Sequence, residues 1–128
     1  MSSVRSRGNR STERRLRALL MRIGVRGWRV QPKEVPGSPD FAFPQEHIAV
    51  FVDGAFWHGA PGFDRFPRTN VRFWREKIQR NRARDRAVTR RLRRLGWFVI
   101  RVWDFDLAND PAAVLERIGR VIRQSRER

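Results

Sequence analysis

Ile48-Ala49-Val50-Phe51-Val52-Asp53-Gly54-Ala55-Phe56-Trp57-His58-Gly59 is the stretch whose reading decides the fold. Its first five residues form a continuous apolar run, the pattern of a strand buried on both faces of a sheet. The run stops at a carboxylate, followed by a glycine, two large aromatics, a histidine and another glycine. An acid, an imidazole and two flat rings at the tip of a buried strand make a loop equipped for chemistry on nucleic acid. The competing reading makes Phe56 and Trp57 core and His58 an ordinary loop residue.

Working backward, Pro44 to His47 form a hairpin loop that leads from a short strand, Phe41-Ala42-Phe43, into the long one. If Phe43 pairs with Ile48, the antiparallel register sets Asp40 opposite Phe51. Alternation then turns Asp40, Phe51 and Asp53 to one face, with the two acids diagonal neighbours roughly 7–8 Å apart at the backbone. An oxygen-only pair of that kind suits Mg²⁺, which keeps several waters. A slip of one residue would separate them. Before Asp40, Pro32, Pro36, Gly37 and Pro39 mark a rigid loop, and Trp28 to Gln31 a first short strand. Ser11 or Thr12 opens an N-terminal helix with Leu16, Leu19, Leu20 and Ile23 at helical spacing. Glu13 stands at one end of that stripe, in the first turn, where a carboxylate serves the helix dipole or the site.

Working forward, an irregular loop over 60–70 leads to Asn70, the expected cap of a long helix from Val71 to Leu95 that Gly96 ends. Trp74, Ile78, Val88, Leu92 and Leu95 form its apolar stripe. The same spacing turns Asn81 and Asp85 inward, into an expected hydrogen-bonded network below the site, unless the stripe rotates outward there. Arg80, Arg82, Arg90, Arg91 and Arg94 cover the opposite face. Trp97 to Trp103 reads as a second buried strand, with Asp104 and Asp106 beyond its end. Asp110 and Pro111 start a last helix with Val114, Leu115, Ile118, Val121 and Ile122 inward. The order α-β-β-β-α-β-α is that of an α/β fold, a small mixed sheet flanked by helices, with strands 48–53 and 97–103 parallel.

Charge narrows the function. Lys and Arg number 29 against 13 Asp and Glu, a formal +16 on 128 residues. All the lysines are Lys33 and Lys77; the rest is arginine, whose planar fork suits phosphate. A polyanionic partner is therefore expected, double-stranded DNA first, against the plainer reading of a solubilising surface. Residues 1–10 read as a flexible basic arm and 11–128 as a single domain. Without cysteine there is neither a disulfide nor a thiolate metal site. No apolar run reaches the ~20 residues that span a bilayer, so a cytoplasmic, nucleoid-associated protein, possible as a monomer, is expected.

Four blocks resemble the very-short-patch-repair (Vsr) DNA mismatch endonucleases: Pro36-Gly37-Ser38-Pro39-Asp40, Val50 to Gly59, Phe73-Trp74-Arg75-Glu76-Lys77-Ile78 with Asn81 and Arg84-Asp85, and Leu95 to Trp103. In matching order they cover residues 11–108. The resemblance implies a restriction-endonuclease-like fold, bacterial or phage origin, and Mg²⁺-dependent nicking of duplex DNA, beside T:G mismatches in the best-known members. It also implies Asp40 and the Val52 backbone carbonyl as metal ligands, His58 and Glu13 in the chemistry, and Phe56 and Trp57 as wedges in the base stack. A family histidine is replaced by Asp53, which favours a second carboxylate ligand, although no lysine follows two residues later. The family's zinc cysteines are absent, with Ala55, Gly59 and Ala60 in that region, so no structural zinc is expected. The arm also lacks the methionine-bearing segment by which the family grips the duplex. Arg5, Arg7, Arg10, Lys77 and Arg80 are the expected phosphate contacts. The alternatives are a non-catalytic nucleic-acid-binding module and a nuclease subunit that cuts only with a repair, restriction or mobile-element partner.

Overall fold

The computed structural model describes residues 14–22, 26–30, 32–54 and 70–127. The sheet is built as the apolar parity requires. β2 (Phe41–Phe43) pairs antiparallel with β3 (Ile48–Asp53) through Phe43↔Ile48 and Phe41↔Val50. β3 pairs in parallel with β4 (Phe98–Trp103) from Ile48↔Phe98 to Asp53↔Trp103. β1 (Arg29–Val30) borders β2, giving the order β1-β2-β3-β4.

Alternation along β3 divides the molecule into three layers. Ile48, Val50 and Val52 face the larger core with Phe41, Phe43, Ile100 and Val102. Leu16 and Leu20 of α1 (residues 14–22) cover it, together with Leu107 of α3 (Asp104–Asn109) and Val114, Ile118 and Ile122 of α4 (Pro111–Arg126). Burying each such Leu, Ile or Phe contributes about 1.5–3 kcal/mol, so this side carries most of the hydrophobic stabilisation. Ala49 and Phe51 face the other way, with Ala42 and Val35, onto Leu92 and Val88 of α2 (Val71–Arg94).

Local punctuation is mostly where the sequence placed it. Gly96, at φ +90, closes α2: its amide donates to Arg93 O at 3.0 Å and that of Trp97 to Leu92 O at 2.9 Å. This is the pair of hydrogen bonds of a Schellman cap, which needs a left-handed residue after the helix. Asp110 caps α4, its carboxylate accepting from the Ala113 amide at 3.2 Å ahead of Pro111. Asn70 differs from expectation. It takes a left-handed conformation (φ 59) and its side chain makes no cap bond, so its use is the turn that asparagine tolerates. Leu95 stands outside the stripe, 56% exposed, because it is already the cap residue. A short helix, α3, adds to the expected order, with Asp104 and Asp106 in its first turn. β4 is not buried on both faces either. Ile100 and Val102 are buried, whereas Val99, Arg101 and Trp103 on the α2 side are half-buried.

The small side chains beneath α2 let the loop before Asp40 press against that helix. A Cβ at Gly37 would stand 2.3 Å from Val88 Cγ1, and φ there is +84. Gly37→Ala is therefore expected to destabilise the fold by roughly 2–4 kcal/mol. The urea midpoint should fall while the slope of the transition stays unchanged.

Candidate active site

Asp40 and Asp53 both stand at the carboxyl end of β3, held by different means. The ladder ends at Phe41. One residue earlier the Asp40 amide donates to Val50 O at 3.0 Å, and its carboxylate accepts from the Val52 amide at 2.6 Å. The expected register is present, but Asp40 has left it, so alternation no longer decides which face it shows. It arrives instead from the edge of β3.

That edge matters for Val52. The amide and carbonyl of a paired strand residue face the same neighbour, so the Val52 carbonyl points to the side from which Asp40 comes. The strand-end carbonyl and the Asp40 carboxylate thus share one edge, next to Asp53. These are hard oxygen donors in small number, which fits a cation that retains water. Among the described residues no three His, Asp or Glu side chains gather to hold a metal. The oxygen donors gathered on this edge are the Asp40 carboxylate and the Val52 carbonyl, with the Asp53 carboxylate occupied by a cation. A cysteine-type zinc site is excluded by composition.

Asp53 is 6% exposed, and a carboxylate that deep requires a counter-charge. Arg101, on the paired strand, supplies it. Nη1 donates to both Asp53 oxygens, at 2.9 and 3.1 Å, and lies 3.9 Å from Asp85 Oδ1. Nε donates to Thr89 Oγ1 at 3.0 Å and Nη2 to the Asp85 carbonyl at 3.3 Å. The guanidinium lies over the Phe51 ring, 4.2 Å from its centroid, a cation–π contact. On the outer side the Arg101 carbonyl accepts from Arg117 Nη1 at 2.9 Å.

Asp85 thus joins the expected network below the site, whereas the Asn81 side-chain oxygen accepts from Arg84 of its own helix at 2.8 Å. Lys77 is half-buried and Arg80 exposed on α2. Glu13, Phe56, Trp57, His58, Arg5, Arg7 and Arg10 lie outside the described residues. Sequence reasoning missed Arg101, although a signal existed. An arginine inside an apolar strand, at the parity of Phe51 and Asp53 on its partner, demands a buried acid.

Comparison with known proteins adds a consistent group of relatives. Residues 1–61 match the family model described as DNA mismatch endonuclease Vsr. The type II nicking enzyme V.XorIIP of Xanthomonas oryzae is 37% identical over 126 residues, 98% of this chain and 90% of that one. V.NmeDIP of Neisseria meningitidis, also a type II nicking enzyme, is 37% identical over 96% of this chain and 83% of its own. The DNA mismatch endonuclease Vsr of Escherichia coli is 41% identical over 93 residues, 72% of this chain and 59% of its own.

Proposed function

The chain belongs to the Vsr family of DNA mismatch endonucleases, and from that premise we propose that it nicks one strand of duplex DNA in a Mg²⁺-dependent reaction in the bacterial cytoplasm. The observation that carries this reading is the Asp40 carboxylate docked on the Val52 amide. It sets an acid on the edge of β3 to which the Val52 carbonyl points. Asp40 and the Val52 carbonyl are the residues that would hold the ion. When bound, Mg²⁺ polarises a phosphoryl oxygen and makes its water a better nucleophile.

The chain's own residues do the rest. The Val52 amide fixes the orientation of Asp40. His58 moves the proton of the attacking or leaving oxygen, a task for which imidazole is suited near neutral pH. Glu13 orients a water. Phe56 and Trp57 wedge into the base stack, where flat apolar rings unstack a step, most easily beside a mispair. Arg5, Arg7, Arg10, Lys77 and Arg80 contact phosphates, which position the duplex without reading sequence. Asp53 acts through Arg101, which Asp85 braces from α2, with Asn81 one turn earlier on the same helix.

The test is incubation of the chain with matched and T:G-mismatched duplexes at low salt, with and without Mg²⁺. Single-strand breaks that appear only with Mg²⁺, and faster on the mismatched duplex, are expected. DNA binding without breaks under every condition would leave a binding module in place of a nuclease. Breaks only after a partner protein is added would make the chain a subunit.

A further inference from the structure

We propose that Arg101 is a positioning residue of the cleavage site, and that Asp53 serves as the anchor of this arginine and not as a metal ligand. The inference rests on the reading of Asp40 and the Val52 carbonyl as the metal donors.

The carbonyl of Val52 and the amide of Asp53 belong to one planar unit, so whatever fixes Asp53 fixes the direction of that carbonyl. β3 ends at Asp53, the last rung of its parallel ladder with β4 (Asp53↔Trp103), and no further rung holds the residue from its far side. The Asp53 side chain adds a second hold to that last rung. Both of its oxygens are taken by Arg101 Nη1.

Arg101 in turn is fixed from separate directions: by Thr89 and the Asp85 carbonyl on α2 and by the Phe51 ring beneath. Arginine offers five N–H donors in a rigid fork. Here the fork ties the end of β3 to β4 and α2 at once. An Asp53 that coordinated the ion would have to share its oxygens with a guanidinium already seated on them. The like charges of Arg101 and the ion would then repel. A clamp needs no such compromise, since it works while the ion sits on the Val52 carbonyl and Asp40.

The two roles predict opposite signs. If Asp53 is a ligand, Arg101 competes with the metal, and Arg101→Gln leaves Mn²⁺ binding unchanged or tightens it. If Asp53 is an anchor, Arg101→Gln and Asp53→Asn remove the two ends of one clamp. Each then weakens Mn²⁺ binding by roughly 10–100-fold, the usual effect of losing an outer partner of a metal ligand. The double variant is no weaker than the worse single one, because groups that act as a unit are not additive.

The experiment is Mn²⁺ calorimetry on the DNA-free full chain, wild type, R101Q, D53N and the double variant, with the metal concentration that half-saturates nicking read beside it. R101K keeps the charge but not the fork. It is expected to recover thermal stability and only part of the metal affinity, which separates positioning from folding. Melting temperatures that fall while Mn²⁺ affinity holds would make the clamp merely structural and overturn the proposal. So would tighter binding by R101Q. D40N tests the underlying reading separately. If it binds Mn²⁺ like the wild type, the metal is not at Asp40, whatever Arg101 does.

Discussion

Asp40→Asn is expected to lower the rate of Mg²⁺-dependent nicking by at least ~10³-fold while the protein stays folded. Asparagine keeps an oxygen that accepts from the Val52 amide, so the 2.6 Å contact that seats the side chain survives in kind. Only the negative charge and its metal affinity are lost. A metal that no longer sits on the scissile phosphate forfeits several kcal/mol of charge stabilisation, and each 1.36 kcal/mol is a factor of ten in rate. Asp40→Ala removes the acceptor as well. It should show the same loss of nicking plus about 1–3 kcal/mol of stability, because a part-buried strand amide is left without its partner. DNA affinity at low salt should change little, since phosphate contacts elsewhere supply it. Nicking by Asp40→Asn at the wild-type rate would remove the acid from the site.

The features of this site differ in how openly the sequence displayed them. The register Phe43↔Ile48 was legible because β2 and β3 are apolar on both faces and joined by a short turn, which leaves few ways to pair them. Gly96 and Asp110 were legible because caps are local. The edge-on approach of Asp40 was not. It depends on the ladder ending one residue early, a backbone event that side-chain alternation does not encode. Arg101 was hidden for another reason. Its partner Asp53 is 48 residues away, and only the parallel crossover through α2 brings the two strands into register. A local reading of Asp53 saw an acid at a strand tip and gave it to the metal. The tertiary structure gives it a cation first. Of the expected catalytic group, Glu13 and His58 lie outside the described residues, so their roles rest on the family pattern.

The second large effect expected is electrostatic, and the topology says where on the molecule it arises. Leu92 and Val88 pack at the start of β4 while Asp85 meets Arg101 near its end. α2 therefore runs from the site end of the sheet towards the other. At 1.5 Å per residue, Val71 to Arg84 extend about 20 Å beyond Asp85, past the strand ends, and carry exposed Arg80 and Arg82. α4 runs the same way, and Ser125 Oγ donates to Glu46 O at 2.9 Å. Its exposed Arg120 and Arg123 thus approach the hairpin end, away from Asp40 and Asp53. The +16 charge is accordingly not one uniform field, because cations beyond a Debye length of about 8 Å count little at physiological salt. On the proposed reading, a duplex seated on the site meets the first half of α2 before it meets α4. Raising salt from 50 to 200 mM should weaken binding by about 10³-fold or more if six or more phosphates are engaged. Arg80→Gln with Arg82→Gln should reduce the slope of log affinity against log salt by roughly two, about one for each phosphate no longer neutralised. Arg120→Gln with Arg123→Gln removes the same charge from the other end and should leave both slope and nicking as they were. Equal slopes for the two double variants would mean that the duplex responds to net charge alone. A larger loss from the α4 pair would put the DNA at the hairpin end and separate it from Asp40.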